Sequence, residues 1–299
     1  MSDRLLEVQR LIYKYLPDET DAPSDLFAAM NYSVKNGGKR LRPILMTEAF
    51  LAFGGNPADI EDTLAPFMAA IEMIHSYSLV HDDLPEIDND MYRRGNLTTH
   101  AAYGPAMGVF AGDALLNYAF ETMNAAVKAA AESGDINRTL RLAKASEILG
   151  RKAGAYGMVG GQAVDIKYTG GEPTDDDLEL IYVLKTSALL EASLMAGAVI
   201  AGAGDEVTEG LEKVGHNTGL AFQIRDDILD VTGDEKVIGK PVNSDEDNNK
   251  TTYVTKHGVD AAQKKVDELT TEAESILAGL NPKGKELGRL LSSLVNRNK

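Results

Sequence analysis

The sequence predicts an all-α fold, and three observations carry that reading. Apolar residues recur at three- and four-residue spacings, as in Phe67, Met68, Ile71, Ile74 and Leu79. No run of alternating β-branched residues is long enough to anchor a sheet. Prolines fall at the edges of the periodic stretches, where they start or stop a helix, as at Pro17, Pro23, Pro66 and Pro85.

Each element follows in order. Leu5, Val8, Gln9, Ile12 and Leu16 mark a first helix that Pro17 ends, and a second begins after Pro23 with Ser24 as its cap. Asn36-Gly37-Gly38-Lys39-Arg40-Leu41-Arg42-Pro43 interrupts the pattern with a glycine pair and three cations. Pro66 opens a long helix whose far end delivers Asp82 and Asp83, and Pro85 stops it. Helical patterning continues through 112–116 and 138–150. Gly154, Gly157, Gly160 and Gly161 then allow close helix packing. Thr174 caps a helix that has Asp175, Asp176 and Asp177 in its first turn, where the helix dipole favours acids. Lys185-Thr186 leads into the most apolar stretch, 192–204. Gln223, Asp226, Asp227 and Asp230 share one helix face, opposite a stripe of Leu220, Ile224, Ile228 and Val231. Residues 233–252 are polar and carry Lys236, Lys240 and Lys250, the composition of a functional loop. Two amphipathic segments follow Gly258. With no repeat and no dividing linker, residues 1–299 are expected to form a single domain.

Composition narrows the function. The chain is 43% hydrophobic and 25% charged, ordinary globular usage with enough length for a sizeable core. Its net charge of −16 and the absence of a Lys/Arg stripe exclude a nucleic-acid surface. The chain has no cysteine, hence no disulfide framework, thiolate nucleophile or Cys-based zinc site, which fits a cytoplasmic protein. The first residues lack the apolar core of a signal peptide. The 192–204 stretch is shorter than the ~20 residues a membrane helix needs, so no integral membrane segment is expected.

The chemistry gathers in two acidic clusters. His81-Asp82-Asp83-Leu84-Pro85-Glu86-Ile87-Asp88-Asn89-Asp90 stands at a helix C-terminus, where the macrodipole disfavours anions by up to about 1 kcal/mol. Asp226-Asp227-Ile228-Leu229-Asp230 stacks acids in mid-helix, which repel unless a cation meets them. Both clusters are explained by a bound divalent metal. Hard oxygen donors without cysteine or histidine select Mg2+, with Mn2+ as the nearest substitute. Metal charge inverts the local field, so an acidic protein can hold a diphosphate. Cations at 39–42, Arg93-Arg94, Lys185 and Lys240 complete such a shell, because guanidinium forks match phosphate oxygens. A helical cavity with that mouth and aliphatic walls suits a prenyl diphosphate. Gly279-Leu280-Asn281-Pro282-Lys283-Gly284-Lys285 begins like a P-loop, but Glu286 stands where Ser or Thr must reach magnesium. No HExxH zinc helix, GxSxG elbow or dinucleotide fingerprint occurs.

In these residues the chain resembles the short-chain trans-prenyltransferases of the polyprenyl synthetase family, in their bacterial farnesyl diphosphate synthase form, over nearly its whole length. Asp82-Asp83-Leu84-Pro85-Glu86-Ile87-Asp88 matches the first aspartate-rich motif and Asp226-Asp227-Ile228-Leu229-Asp230 the second. Gly37-Gly38-Lys39-Arg40-Leu41-Arg42-Pro43, Arg93-Arg94-Gly95, Gly161-Gln162, Lys185-Thr186, Phe222-Gln223 and Gly239-Lys240-Pro241 fall in family order. The resemblance implies an all-α isoprenoid-synthase bundle around a central cavity, usually a homodimer, with three Mg2+ ions per active site. Asp82, Asp88 and Asp226 would be the metal ligands, supported by Asp83, Asp227 and Asp230. Gly38, Lys39, Arg42, His75 and Arg94 would hold isopentenyl diphosphate. Arg93, Lys185, Thr186, Gln223 and Lys240 would hold the allylic diphosphate, with Lys250 nearby. Asn89 and Met91 stand where relatives often carry further acids, which leaves the number of auxiliary carboxylates open. Tyr77 and Ser78, five and four residues before Asp82, would set the tunnel floor and limit the product. The expected reaction condenses isopentenyl diphosphate with dimethylallyl and geranyl diphosphate, giving mainly farnesyl diphosphate. Three other readings compete: a geranylgeranyl diphosphate synthase, a terpene cyclase of the same fold, and a non-catalytic helical subunit of a longer-chain synthase.

Overall fold

The computed structural model describes residues 3–232 and 251–296, and among them the fold is all-α apart from one two-stranded hairpin. Two compact units divide the chain: Met1–Thr47 with Asn56–Ser146, and Glu48–Gly55 with Glu147–Lys299.

The first unit runs α1 (Asp3–Tyr13), α2 (Ser24–Lys35), α3 (Leu41–Ala52), α4 (Ala65–Asp82), a hairpin of β1 (Tyr92–Arg93) and β2 (Asn96–Leu97), α5 (Thr99–Tyr103), α6 (Pro105–Glu132) and α7 (Ile136–Ala153). The last turns of α3 and of α7 belong to the second unit. α4 is the axis of the first unit. Phe67, Met68, Ile71, Met73 and Ile74 are fully buried, and Pro66 stands in its first turn as expected. It lies along α6, whose inner face is built from Gly108, Ala111, Gly112, Leu115, Ala119 and Met123. Small residues there let the two helix axes approach closely. α2 begins at Ser24 itself: Pro23 takes the cap position and no side chain caps the helix, because Ser24 already lies inside the first turn. α1 ends at Tyr13, so Leu16 lies outside it.

The second unit contains α8 (Met158–Lys167), α9 (Asp175–Ile181), a π-helical segment (Tyr182–Ser187), α10 (Ala188–Ala201), α11 (Asp205–Thr232), α12 (Tyr253–His257), α13 (Val259–Gly279) and α14 (Glu286–Val295). Thr174 closes a capping box with Asp177 at the start of α9, the structural role expected of that acidic run. The apolar stretch is longer than 192–204 indicates. Helical backbone is continuous over Asp175–Ala201, long and apolar enough to cross a membrane, but 78% of its window is buried inside the protein. α11 packs at two glycines, against α10 and the end of the π-helical segment. A Cβ at Gly215 would stand 2.7 Å from Glu191 Cα, and one at Gly219 would stand 2.5 Å from Ser187 Cβ. On α11 the stripe of Leu220, Ile224 and Ile228 is buried, whereas Val231, near the helix end, is exposed.

Candidate active site

Within the first unit the acidic cluster is shaped by the end of α4. The helix stops after Asp82, and residues 84–89 fold into a tight turn in which the N–H groups of Ile87 and Asn89 donate to Leu84 O. The same turn brings Asp88 back to Asp82, whose carbonyl accepts the Asp88 N–H at 2.9 Å. Two acids six residues apart are thereby set side by side. Asp83 is buried and accepts both Arg93 Nε bonds, at 2.8 and 3.0 Å, while Arg93 Nη2 reaches it at 2.5 Å. Burial raises the Asp83 carboxyl, Arg93 opposes that, and Asp90 and Asp88 add to it. Arg93 and Arg94 belong to a hairpin turn in which Arg94 and Gly95 both have positive φ, 55° and 83°.

Among the described residues no group of three or more carboxylates and histidines already forms a metal cage. Magnesium does not require one. It binds through one or two carboxylates, keeps several waters and takes further oxygens from phosphate, so Asp82 and Asp88, oxygen donors on a turn, fit its demands.

The cation-rich turn 37–42 lies beside the same hairpin. Arg94 Nη1 donates to Gly37 O at 2.7 Å, and a Cβ at Gly38 would stand 2.6 Å from Arg94 Nη1. Gly37 and Gly38 have φ of +88° and +119°, so the glycine pair answers both a backbone demand and a packing demand. Arg42 is half-buried, its Nε has no hydrogen-bond partner among the described residues, and burial lowers it to about 10, with Glu72 opposing and Arg94 reinforcing. Lys39 is exposed.

His75 joins this group electrostatically. Burial first, then Arg42, Arg94, Arg40 and Arg93, hold its imidazole well below the ordinary value, so it is neutral at pH 7. The unfolded chain takes up a proton at His75 below about pH 6.5 and the folded chain does not, so this site lowers stability as pH falls from there toward the depressed folded value. His75→Gln is expected to flatten the loss of stability between about pH 7 and about pH 5.5 in urea titrations. An unchanged slope would assign that loss to other groups. In the second unit His216 works with the opposite sign. Its value is raised by its hydrogen bond to the Glu191 carboxylate, so its contribution is present below about pH 6.5 and fades as pH rises through the raised value.

Tyr77 is buried on α4, and its hydroxyl has no hydrogen-bond partner among the described residues. Burial, with Asp82 adding to it, pushes the phenol up to about 12. Its ring meets His81 edge-on at 5.8 Å, and His81 in turn lies against α6, with Nε2 3.2 Å from Val109 O. Gly112 makes room for that ring, since a Cβ there would stand 2.1 Å from His81 Nε2. Ser78 turns inward on its own helix and donates to His75 O.

Within the second unit a cavity of about 140 Å3 is lined by Asp165, Tyr168, Lys185, Thr186, Gln223 and Asp227, among others. Lys185 Nζ contacts Asp165 Oδ2 at 2.5 Å, and Thr186 Oγ1 contacts Gln223 Oε1 at 3.1 Å. Both cavity residues Lys185 and Thr186 sit on the π-helical segment, which widens the turn that presents them. Gly161 permits this, because a Cβ there would stand 2.3 Å from Lys185 N. Asp226 is half-buried, whereas Asp227 and Asp230 are buried. Asp227 Oδ2 accepts from Tyr182 OH at 2.6 Å and from Tyr253 N–H at 3.2 Å. Lys240 and Lys250 lie outside the described residues.

Sequence reasoning gave no role to Glu72, His81, Gly112 or Tyr182, and counted Arg40 among the cations of the diphosphate shell, whereas it is buried against Glu72. Glu72 left one legible signal, a lone acid inside an otherwise apolar helix, which implies a buried partner.

Comparison with known proteins gives this arrangement its class. The chain matches the polyprenyl synthetase family over residues 23–278 and belongs to it. It is 40% identical to a farnesyl diphosphate synthase of Micrococcus luteus, covering 97% of this chain and 94% of that protein. It is 41% identical to the large subunit of a heterodimeric geranylgeranyl pyrophosphate synthase of Arabidopsis thaliana, covering 87% and 68%. A Helicobacter pylori geranyltransferase structure, complexed with magnesium and isoprenyl diphosphate, superposes with a TM-score of 0.77 at 32% identity, covering 99% and 97%. The protein is a prenyltransferase of the chain-elongating kind.

Proposed function

We propose that the chain is a magnesium-dependent elongase that joins isopentenyl diphosphate to dimethylallyl and geranyl diphosphate, releasing diphosphate and giving mainly farnesyl diphosphate. What supports this reading is the presence of two cationic and polar sets suited to a diphosphate, one in each unit. One is Gly38, Lys39, Arg42, His75 and Arg94 in the first unit; the other is Lys185, Thr186 and Gln223 in the second. A terpene cyclase binds one diphosphate and has no use for the first set.

In this reading Asp82, Asp88 and Asp226 hold magnesium, three ions in all, with manganese as a substitute, and Asp83, Asp227 and Asp230 support them. When bound, the metal supplies Lewis-acid stabilisation of the departing diphosphate. The protein's own groups do the rest. Lys185, with Arg93, Thr186, Gln223, Lys240 and Lys250, grips the allylic diphosphate as its C–O bond breaks and the electron pair leaves with oxygen. Lys39, Arg42, Arg94 and neutral His75 hold the second substrate so that its double bond forms the new C–C bond. Loss of a proton from the joined chain restores a double bond.

Tyr77, with Ser78, sets the floor that favours fifteen carbons over the twenty of a geranylgeranyl synthase. The chain works as one polyprenyl synthetase domain, since the family match runs through both units. It pairs as a homodimer, for which Phe110 on α6 and Ile136 and Leu140 on α7, each more than half exposed, offer apolar contact. A cytoplasmic location agrees with the absence of cysteine.

The test is direct. Purified protein is incubated with isopentenyl diphosphate and each primer, with and without magnesium, and the products are sized. Farnesyl product only with metal is expected. No product with any primer defeats the reading and favours the partner-subunit alternative.

A further inference from the structure

Two charged residues of the first unit take no part in the reaction just described, and they are among its most deeply buried groups. Arg40 and Glu72 are each 2% exposed, and Arg40 Nη1 meets Glu72 Oε1 at 2.6 Å. Arg40 Nη2 donates to Val34 O at 2.5 Å and to Tyr13 OH at 3.2 Å, and its guanidinium lies 5.9 Å from the Tyr13 ring centroid. α1, α2 and α4 therefore all hold one side chain. Its backbone is left-handed, with φ of +49°, a conformation that a non-glycine residue keeps only when its surroundings impose it.

The position of this residue matters. Arg40 separates Lys39 from Leu41 and Arg42, and with Gly37 and Gly38 it makes three of four consecutive residues left-handed. The inward pull on Arg40 turns Lys39 outward and sets Arg42 at the first turn of α3. Glu72 also lies three residues before His75 on α4, one turn away on the same side. Its charge acts on both Arg42 and Arg94, opposing the burial that lowers each of them. Three guanidinium groups, of Arg40, Arg42 and Arg94, are thus held in one region before any anionic substrate arrives.

We propose that the Arg40–Glu72 pair is a positioning device for the isopentenyl diphosphate site: by anchoring the left-handed turn it presets Lys39, Arg42 and Arg94 to receive a diphosphate. The proposal rests on the reading that this cluster takes that substrate. The pair touches no substrate; it acts through the turn.

The sign of one substitution separates positioning from a plain field effect. Taking a negative charge away from an anion site tightens anion binding if geometry is unchanged. If the pair positions the turn, Glu72→Gln weakens binding instead. Binding of isopentenyl diphosphate to metal-free protein is measured by calorimetry, and KM is measured for both substrates. Glu72→Gln and Arg40→Lys are expected to raise the dissociation constant and KM for isopentenyl diphosphate by about tenfold or more, with KM for geranyl diphosphate within about twofold. Tyr13→Phe, which removes only the 3.2 Å bond, is expected to move the same constants in the same direction by less, and it serves where the stronger variants fail to fold. Tighter or unchanged isopentenyl diphosphate binding in the folded variants overturns the proposal, as does an equal rise in both KM values. Wild-type protein that binds no isopentenyl diphosphate overturns the reading of the site and the proposal with it.

Discussion

Asp82→Asn and Asp226→Asn are each expected to lower turnover by about two to three orders of magnitude while leaving the fold intact. Asparagine keeps the shape of the side chain and removes its charge, and a neutral amide oxygen is a poor magnesium ligand. At position 82 the carboxylate stands at the C-terminal end of α4, where the helix dipole opposes it, so neutralising it costs no helix-dipole energy. Turnover at saturating substrates and thermal melts of the same preparations decide the matter. Near wild-type turnover in either variant sinks the metal assignment, and a collapse in melting temperature would assign the loss to folding.

Tyr77→Ala is expected to lengthen the products. Tyr77 lies five residues before Asp82 on α4, roughly 7 to 8 Å along the helix at 1.5 Å per residue. Its hydroxyl has no partner among the described residues, so truncation chiefly opens space. If that space continues the substrate tunnel, chains of twenty carbons or more accumulate. If Tyr77 is merely core, the variant instead loses about 3–5 kcal/mol to a cavity and its product distribution stays put. Tyr77→Phe keeps the ring and should leave product length as it is.

Much of this was legible in the sequence because it rests on period and charge. The three- and four-residue repeat of α4 and the Thr174 cap depend on local chemistry, and both stand in the structure. Local signals also explain the failures. The hairpin at 92–97 has strands of two residues, too short for any alternation to register. Ser24 has the right chemistry for a cap, yet the helix starts on it, since helix boundaries follow tertiary packing as well as propensity. Within the second aspartate motif, spacing alone does not separate Asp226 from Asp227; the family resemblance does so, and the fold adds that Asp227 is held by Tyr182 and the Tyr253 backbone. Arg40 reads as one more cation of a basic turn, because burial is a property of the folded chain.

The contact between His81 and Gly112 has a consequence for how this enzyme can change over generations. A side chain at 112 would strike an imidazole bonded to the chain one residue before Asp82, so any such substitution disturbs the first acidic motif along with the helix contact. Tyr77 borders the same imidazole, but its side chain can be shortened without intruding on anything. On the proposed reading of Tyr77 as the tunnel floor, variation in chain length is steered to α4, where specificity can diverge while the acidic motif beside it stays fixed.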